Sequence, residues 1–232
     1  MKYKDYLKYW QDIASEKGYE ESAILLLLLY EAKLTSSELY MKMDDEIDKK
    51  ISDNFETDVK KYLDDNIPVQ YIIGEACFYG YDFNVNNDVL IPRPETEELV
   101  ENILFLYDDY FKGKDIDVVD IGTGSGCISV TLAAEEPHMH LKATDISGRA
   151  LNVARSNAKK MNVNIDFKEG NMLEPVMNDK FDILVSNPPY IPETEVVDPL
   201  VKDNEPNVAL FGGNDGLKFF HIILENAPKI MK

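Results

Sequence analysis

The tetrapeptide Asn187-Pro188-Pro189-Tyr190 follows the apolar run Phe181-Asp182-Ile183-Leu184-Val185-Ser186. It places three chemically different groups within four residues. Two consecutive prolines donate no backbone N–H and fix φ, so the chain leaves its strand in a rigid, extended turn whose carbonyls stay free to accept hydrogen bonds. An amide side chain precedes the prolines and a flat aromatic follows them. This constellation suits a planar NH2 group: Asn187 Oδ1 and the Pro188 carbonyl can accept its two protons while Tyr190 stacks on its face. Pro189 stiffens the turn. The plainer alternative is a strand end punctuated by a Pro-Pro turn.

Upstream, Asp117-Val118-Val119-Asp120-Ile121 runs into Gly122-Thr123-Gly124-Ser125-Gly126, followed by the apolar-faced stretch Cys127 to Ala134. Strand, glycine turn and helix make the first βα unit of a nucleotide-type α/β fold, where glycines let the backbone approach a ligand closely. An acid about 20 residues further on strengthens the reading. Asp145 ends the candidate strand from Leu141, where its carboxylate can accept both hydroxyls of a ribose. After a third strand at 164–168, Asn171 and Met172 offer one polar and one apolar side chain for the edge and face of an adenine. A dinucleotide enzyme is the alternative, but the turn lacks the G-x-G-x-x-G spacing and hydride transfer has no use for Asn-Pro-Pro-Tyr.

With these motifs in place the chain resembles the class I S-adenosylmethionine methyltransferases. Within them it is similar to the HemK-type protein-(glutamine-N5) methyltransferases of peptide chain release factors. Four blocks carry the resemblance over about residues 68–217: Pro68–Gly74 with Phe78-Tyr79-Gly80; Val89-Leu90-Ile91-Pro92-Arg93-Pro94-Glu95-Thr96-Glu97; the Gly122–Gly126 turn with Asp145 and Asn187–Tyr190; and Glu205-Pro206 with Ala209–Gly213 and Asp215-Gly216-Leu217. The second and fourth weigh most, because the general methyltransferase fold does not require them. The resemblance implies S-adenosylmethionine as cofactor, held by Gly122, Thr123, Gly124, Ser125, Gly126, Asp145, Asn171, Met172 and Asn187. It implies a glutamine substrate in a Gly-Gly-Gln loop, met by Asn187, Pro188, Pro189 and Tyr190, with Asn187, Pro188 and Tyr190 acting in catalysis. Asn171 stands where relatives usually carry Asp, and Met172 where some carry an aromatic, which implies an adenine pocket of altered shape. Three other functions share these motifs: glutamine methylation of a ribosomal protein, adenine-N6 methylation of nucleic acid, and cofactor binding without catalysis.

Charge separates some of these. With 24 Lys+Arg against 43 Asp+Glu the net charge is −19. Nucleic-acid binders neutralise phosphates with clustered Lys and Arg, and no such cluster is visible, so a protein partner is expected and direct nucleic-acid binding is not. Three histidines show no zinc-ligand spacing with Cys or Glu, so no metal is expected. Cys77 and Cys127 form no C-x-x-C pair, which fits a reducing compartment. The longest apolar run, Ala23 to Tyr30, is far short of the ~18 residues of a membrane span. A cytoplasmic monomer is the expectation.

The elements that must position these groups fall into three stretches. Residues 1–72 read as a helical domain for substrate docking. Tyr6, Leu7, Trp10, Ile13 and Ala14 recur at helical spacing. Ala23–Tyr30, apolar almost all round, predicts a buried central helix. Thr35-Ser36-Ser37-Glu38 is a capping box, and the charged stretch 44–65 reads as a helix pair. Residues 73–92 suggest a β-hairpin connector around Gly80 and Asn86-Asn87. Residues 93–232 alternate strands at about 116–121, 140–145, 164–168 and 181–186 with helices, the pattern of a Rossmann-like parallel sheet covered on both faces. The resemblance implies seven strands, so the C-terminal strands are expected to be missing, the chain to be a truncated product, and the strand at 181–186 to be an unprotected edge.

Overall fold

The computed structural model describes residues 1–232. In chain order its elements are α1 (Tyr3–Glu16), α2 (Glu21–Ala32), α3 (Ser36–Met41), α4 (Lys49–Leu63), α5 (Val69–Ile73), β1 (Glu75–Phe78), β2 (Tyr81–Asn84), α6 (Glu95–Tyr110), β3 (Ile116–Ile121), α7 (Cys127–Glu135), β4 (Met139–Asp145), α8 (Gly148–Lys160), β5 (Asp166–Glu169), β6 (Ile183–Val185), α9 (Pro199–Lys202) and α10 (Lys218–Ile230). They form two compact units, one of residues 1–74 with 199–204, the other of 75–198 with 205–232. No helix is long and apolar enough to cross a membrane.

The first unit is helical. Tyr6, Leu7 and Ala14 of α1, Ile24, Leu27 and Leu28 of α2, and Phe55, Val59 and Tyr62 of α4 bury one shared core, the consequence of apolar residues recurring three and four apart. The capping box is present: Glu38 N donates to Thr35 Oγ1 at 3.2 Å and Thr35 N to Glu38 Oε2 at 2.8 Å. Two expectations are corrected. Helix α2 is not buried all round, since Leu26 and Tyr30 are exposed. The stretch 44–65 holds one helix rather than two, because Asp48 caps α4 by accepting from Lys50 N at 2.8 Å. Segment 199–204 joins this unit through Leu200, which packs on its core, and Asn204, whose Nδ2 donates to the Asn66 carbonyl at 2.7 Å.

The second unit opens with the β1–β2 hairpin. Its turn lies at Tyr79-Gly80, both in the left-handed region (φ 51° and 77°), as a two-residue hairpin turn requires. Asn86 instead folds its own short turn, accepting from Asp88 N at 2.9 Å. Pro94 stands just before the first residue of α6.

Four parallel strands follow in the order β5-β4-β3-β6. Strand β3 matches its expected span residue for residue, and its alternate side chains feed opposite faces. Ile116 and Val118 join the core with α6, α7 and α8, while Val119 and Ile121 meet Leu173, Val176 and Ile230 of α10. Both faces of β3 are thus covered, as in a central strand of a parallel sheet, whereas the edge strand β5 is largely polar and exposed. The 181–186 edge is partly engaged: Phe181 N donates to the Ile230 carbonyl at 2.8 Å, and Lys232 N donates to the Phe181 carbonyl at 2.9 Å. The chain runs one way from β3 to β4 and the other way from β3 to β6, so a crevice opens beyond the carboxyl ends of these strands, where α/β sheets bind ligands.

Candidate active site

At that crevice lies a cavity of about 310 Å³, within the ~300–1,000 Å³ usual for small-molecule sites. Among the residues singled out in the sequence, Gly122, Gly124, Asp145, Asn171, Met172, Asn187 and Pro189 line it. Thr123, Ser125, Gly126, Pro188 and Tyr190 do not. Thr123 and Ser125 are buried in the turn itself, and Tyr190 lies outside, 60% exposed.

The turn after β3 takes its shape from its glycines. Gly122 and Gly124 have φ of +76° and +56°, and a side-chain carbon on either would meet nothing within 4 Å, so bare backbone faces open space. Gly126 serves packing instead: a Cβ there would sit 3.1 Å from Ala154 of α8 and 3.2 Å from Val130. Inside the turn, Thr123 Oγ1 donates to Asp120 Oδ2 at 2.6 Å and lies 2.8 Å from Ser129 Oγ. Asp120 is wholly enclosed and its Oδ1 has no partner. Burial pushes its carboxyl up from 3.8 to about 6, against the pull of the Thr123 and Ser129 hydrogen bonds.

Asp145, at the end of β4, ties the next loop to this turn. Its Oδ2 accepts from Gly124 N and its Oδ1 from Ser147 N, both at 2.9 Å. Each oxygen keeps a further lone pair for a ligand. Burial raises its pKa, and the Ser147 and Gly124 amides oppose the rise. Met172 is held in a left-handed conformation (φ 51°) with its carbonyl accepting from Thr144 Oγ1 at 3.0 Å. Asn171 Nδ2 donates to Glu174 Oε1 at 3.3 Å.

Asn187 is oriented by a residue the sequence did not single out for chemistry. Its Nδ2 donates to Thr96 Oγ1, in the first turn of α6, at 3.0 Å. No hydrogen bond within the chain reaches Asn187 Oδ1 or the Pro188 carbonyl. The turn itself rests on the glycines of the 209–217 block. Ile191 N donates to the Leu210 carbonyl at 3.0 Å and Gly212 N to the Ile191 carbonyl at 2.9 Å. A Cβ on Gly212 would fall 2.5 Å from the Pro189 carbonyl oxygen, and one on Gly216 would collide with that of Tyr190.

Further contributors had no role assigned from the sequence. Asn157 of α8 donates to the Ser125 carbonyl at 2.8 Å and to that of Asn84 at 3.0 Å, and accepts from Asn84 N at 2.8 Å, so it ties the hairpin to the glycine turn. Glu205 accepts from Arg93 and from Ile91 N. The cavity is closed by Val89 and Leu90, by Val208 and Ala209, and by Phe219 and Ile222 of α10. Val89, Leu90 and Ala209 belong to the blocks that carried the resemblance, whereas nothing in the sequence pointed to Val208, Phe219 or Ile222.

Comparison with known proteins agrees with this architecture. Residues 103–205 match the Methyltransferase small domain and residues 5–74 the PrmC N-terminal domain. A release factor glutamine methyltransferase of Bacillus subtilis is 46% identical over 97% of this chain and 80% of its own length. Proteins of the same name from Bacillus cereus and Staphylococcus aureus are each 39% identical over 100% of this chain and 83% of theirs. Among solved structures, the hMettl16 catalytic domain in complex with MAT2A 3′UTR hairpin 6 superposes with a TM-score of 0.50. That match covers 78% of this chain and 65% of that one at 17% identity, a likeness of fold alone. At 39–46% identity across nearly its whole length, this chain belongs to the release factor glutamine methyltransferase family.

Proposed function

We propose that this chain methylates the side-chain amide nitrogen of a glutamine in a peptide chain release factor, in its Gly-Gly-Gln loop, using S-adenosylmethionine. The observation that carries this reading is the pair of acceptors, Asn187 Oδ1 and the Pro188 carbonyl, left without internal donors beside a cavity lined by the glycine turn and Asp145.

The cavity fits the cofactor. Gly122 and Gly124 leave space that any side chain would take, Asp145 has spare lone pairs for two ribose hydroxyls, and Asn171 and Met172 offer an edge and a face for adenine. Its wall carries the carboxylates of Asp88 and Asp145 and the ammonium of Lys218, and Asp88 also pairs with Arg149 at 3.3 Å. When bound there, S-adenosylmethionine supplies a methyl group carried on a sulfonium.

The rest falls to the protein. An amide nitrogen is a poor nucleophile because its lone pair is delocalised into the carbonyl. Asn187 Oδ1 and the Pro188 carbonyl each accept one N–H and so fix the NH2 with its lone pair turned toward the methyl carbon. Positive charge builds on that nitrogen during transfer, and both acceptors then bind it more tightly than in the ground state. In this reading Tyr190, 60% exposed, covers the amide plane as a substrate arrives. The surplus proton passes to water.

In this reading the helical unit docks the release factor, the chain works as a cytoplasmic monomer, and nucleic acid is not bound directly. Labelled S-adenosylmethionine offered with a release factor, ribosomal proteins and DNA side by side tests it. Label on the release factor glutamine is the expected result. Label on a ribosomal protein or on DNA, with the release factor untouched, overturns it.

A further inference from the structure

Asn187 has two opposed ends, an acceptor oxygen and a donor NH2. Only the oxygen can receive a proton from a substrate amide. Nothing in the side chain itself selects which end faces the cavity, since the two are nearly equal in size and a rotation about χ2 exchanges them. In this structure the NH2 end is the one engaged, by Thr96 of α6. Thr96, 7% exposed, sits in its first turn with its backbone N donating to the Arg93 carbonyl at 3.0 Å, so its position is set by the helix start. Its Oγ1 accepts from Asn187 Nδ2 at 3.0 Å across 91 positions of sequence.

We propose that Thr96 is a positioning residue for methyl transfer: its hydroxyl engages the NH2 end of Asn187 and thereby presents Oδ1 to the glutamine amide. This rests on the amide-clamp reading of Asn187 given above. It also gives the Pro92–Glu97 block a role in the reaction, since the helix start it encodes delivers the hydroxyl. Without that hydroxyl the part-buried NH2 of Asn187 loses its acceptor in the protein, and the amide gains by turning it toward the cavity, where it opposes the substrate's own N–H groups.

The test compares Thr96→Val, which keeps the shape and loses the hydroxyl, with Thr96→Ser, which keeps the hydroxyl. With a release factor as methyl acceptor, Thr96→Val should lower kcat roughly tenfold, as expected for a part-buried donor that loses its partner. KM for S-adenosylmethionine should hold, and Thr96→Ser should stay within about threefold of wild type. Because Thr96 acts through Asn187, adding Thr96→Val to Asn187→Ala should cost nothing further. In the free protein, the side-chain NH2 resonances of Asn187 in a ¹H–¹⁵N spectrum should move in Thr96→Val and not in Thr96→Ser. If Asn187→Ala loses activity while Thr96→Val does not, the inference fails and the clamp stands. It fails equally if the Asn187 resonances are the same in Thr96→Val as in wild type, or if the two losses add. If Asn187→Ala itself retains full activity, it is the clamp that fails.

Discussion

Glu205 and Arg93 form an ion pair across 112 positions of sequence, with Arg93 Nη2 2.5 Å from Glu205 Oε1. The other carboxylate oxygen accepts from Ile91 N at 3.1 Å. The Glu205 side chain is 1% exposed and that of Arg93 35%. One carboxylate therefore fastens residues 88–91 to residues 206–209, two walls of the same cavity. Removing one partner of a buried pair strands the other, at about 3–5 kcal/mol when both are enclosed. Arg93 retains some access to water, so Glu205→Ala should cost less than that, about 2–3 kcal/mol. Urea unfolding measures it, and an unchanged midpoint would mean that the clasp carries no weight.

Replacing Asp145 should weaken cofactor binding. Charge-assisted hydrogen bonds are worth about 1.5–3 kcal/mol, so Asp145→Ala should lose roughly ten- to a hundredfold in S-adenosylmethionine affinity. Because burial raises this carboxyl's pKa, affinity in the wild type should also fall on acidification sooner than an ordinary exposed aspartate would dictate. Calorimetric titration at several pH values checks both. Equal affinity for Asp145→Ala and wild type would place the cofactor elsewhere.

Asn187→Ala should lower kcat by roughly 10²–10³, the scale of losing one preorganised contact to developing charge, with cofactor binding less affected. Asn187→Asp keeps an acceptor and adds a negative charge near the sulfonium. That charge tightens ground-state binding of the cofactor and stabilises the nitrogen as it turns cationic, so activity between Ala and Asn is expected. Wild-type turnover by Asn187→Ala would return Asn-Pro-Pro-Tyr to the status of a turn.

Asp120 predicts a pH-dependent stability. Its folded pKa, about 6, lies above the ordinary 3.8. The folded state therefore holds this proton more tightly, and the associated stability is complete below pH ~4 and lost as pH rises through ~6. Asp120→Asn, which cannot ionise, should gain stability over wild type at pH 8, by up to about 3 kcal/mol at 1.36 kcal/mol per pH unit. The gain should vanish near pH 4. Thermal melts at both values decide it, and a pH-independent difference would rule out titration of this group.

The parts legible in sequence are those set by local pattern. Strand β3 was readable because its β-branched residues Ile116, Val118, Val119 and Ile121 supply both covered faces, and the glycine turn because its backbone needs positive φ. Local pattern also misled. Ile47 continued the spacing of Ile51 and Phe55, yet Asp48 ends the run by capping α4. Of the two turn signals read for the hairpin, Gly80 makes it with Tyr79, while Asn86-Asn87 lies outside it. Contacts made across the fold left no trace in the chain's own periodicity. Thr96 meets Asn187, Glu205 meets Arg93, and the glycines of 212–216 press on Pro189 and Tyr190. The Ala209–Gly213 block was noticed by resemblance, but its purpose, backbone lying against backbone, appears only in three dimensions.

The two open acceptors at the Asn-Pro-Pro-Tyr turn set a stoichiometry. On the reading proposed above, Asn187 Oδ1 and the Pro188 carbonyl together ask for a nitrogen bearing two hydrogens. A primary amide meets that demand once. The product carries one hydrogen and one methyl group, so in the same seat it must leave an acceptor unmatched and press a methyl group against an oxygen. A buried acceptor without a donor costs about 1–3 kcal/mol, enough to loosen the product roughly ten- to a hundredfold relative to the substrate. The same arithmetic that admits glutamine therefore hastens the departure of methylglutamine and disfavours a second transfer. The turn counts hydrogens, and it stops at one.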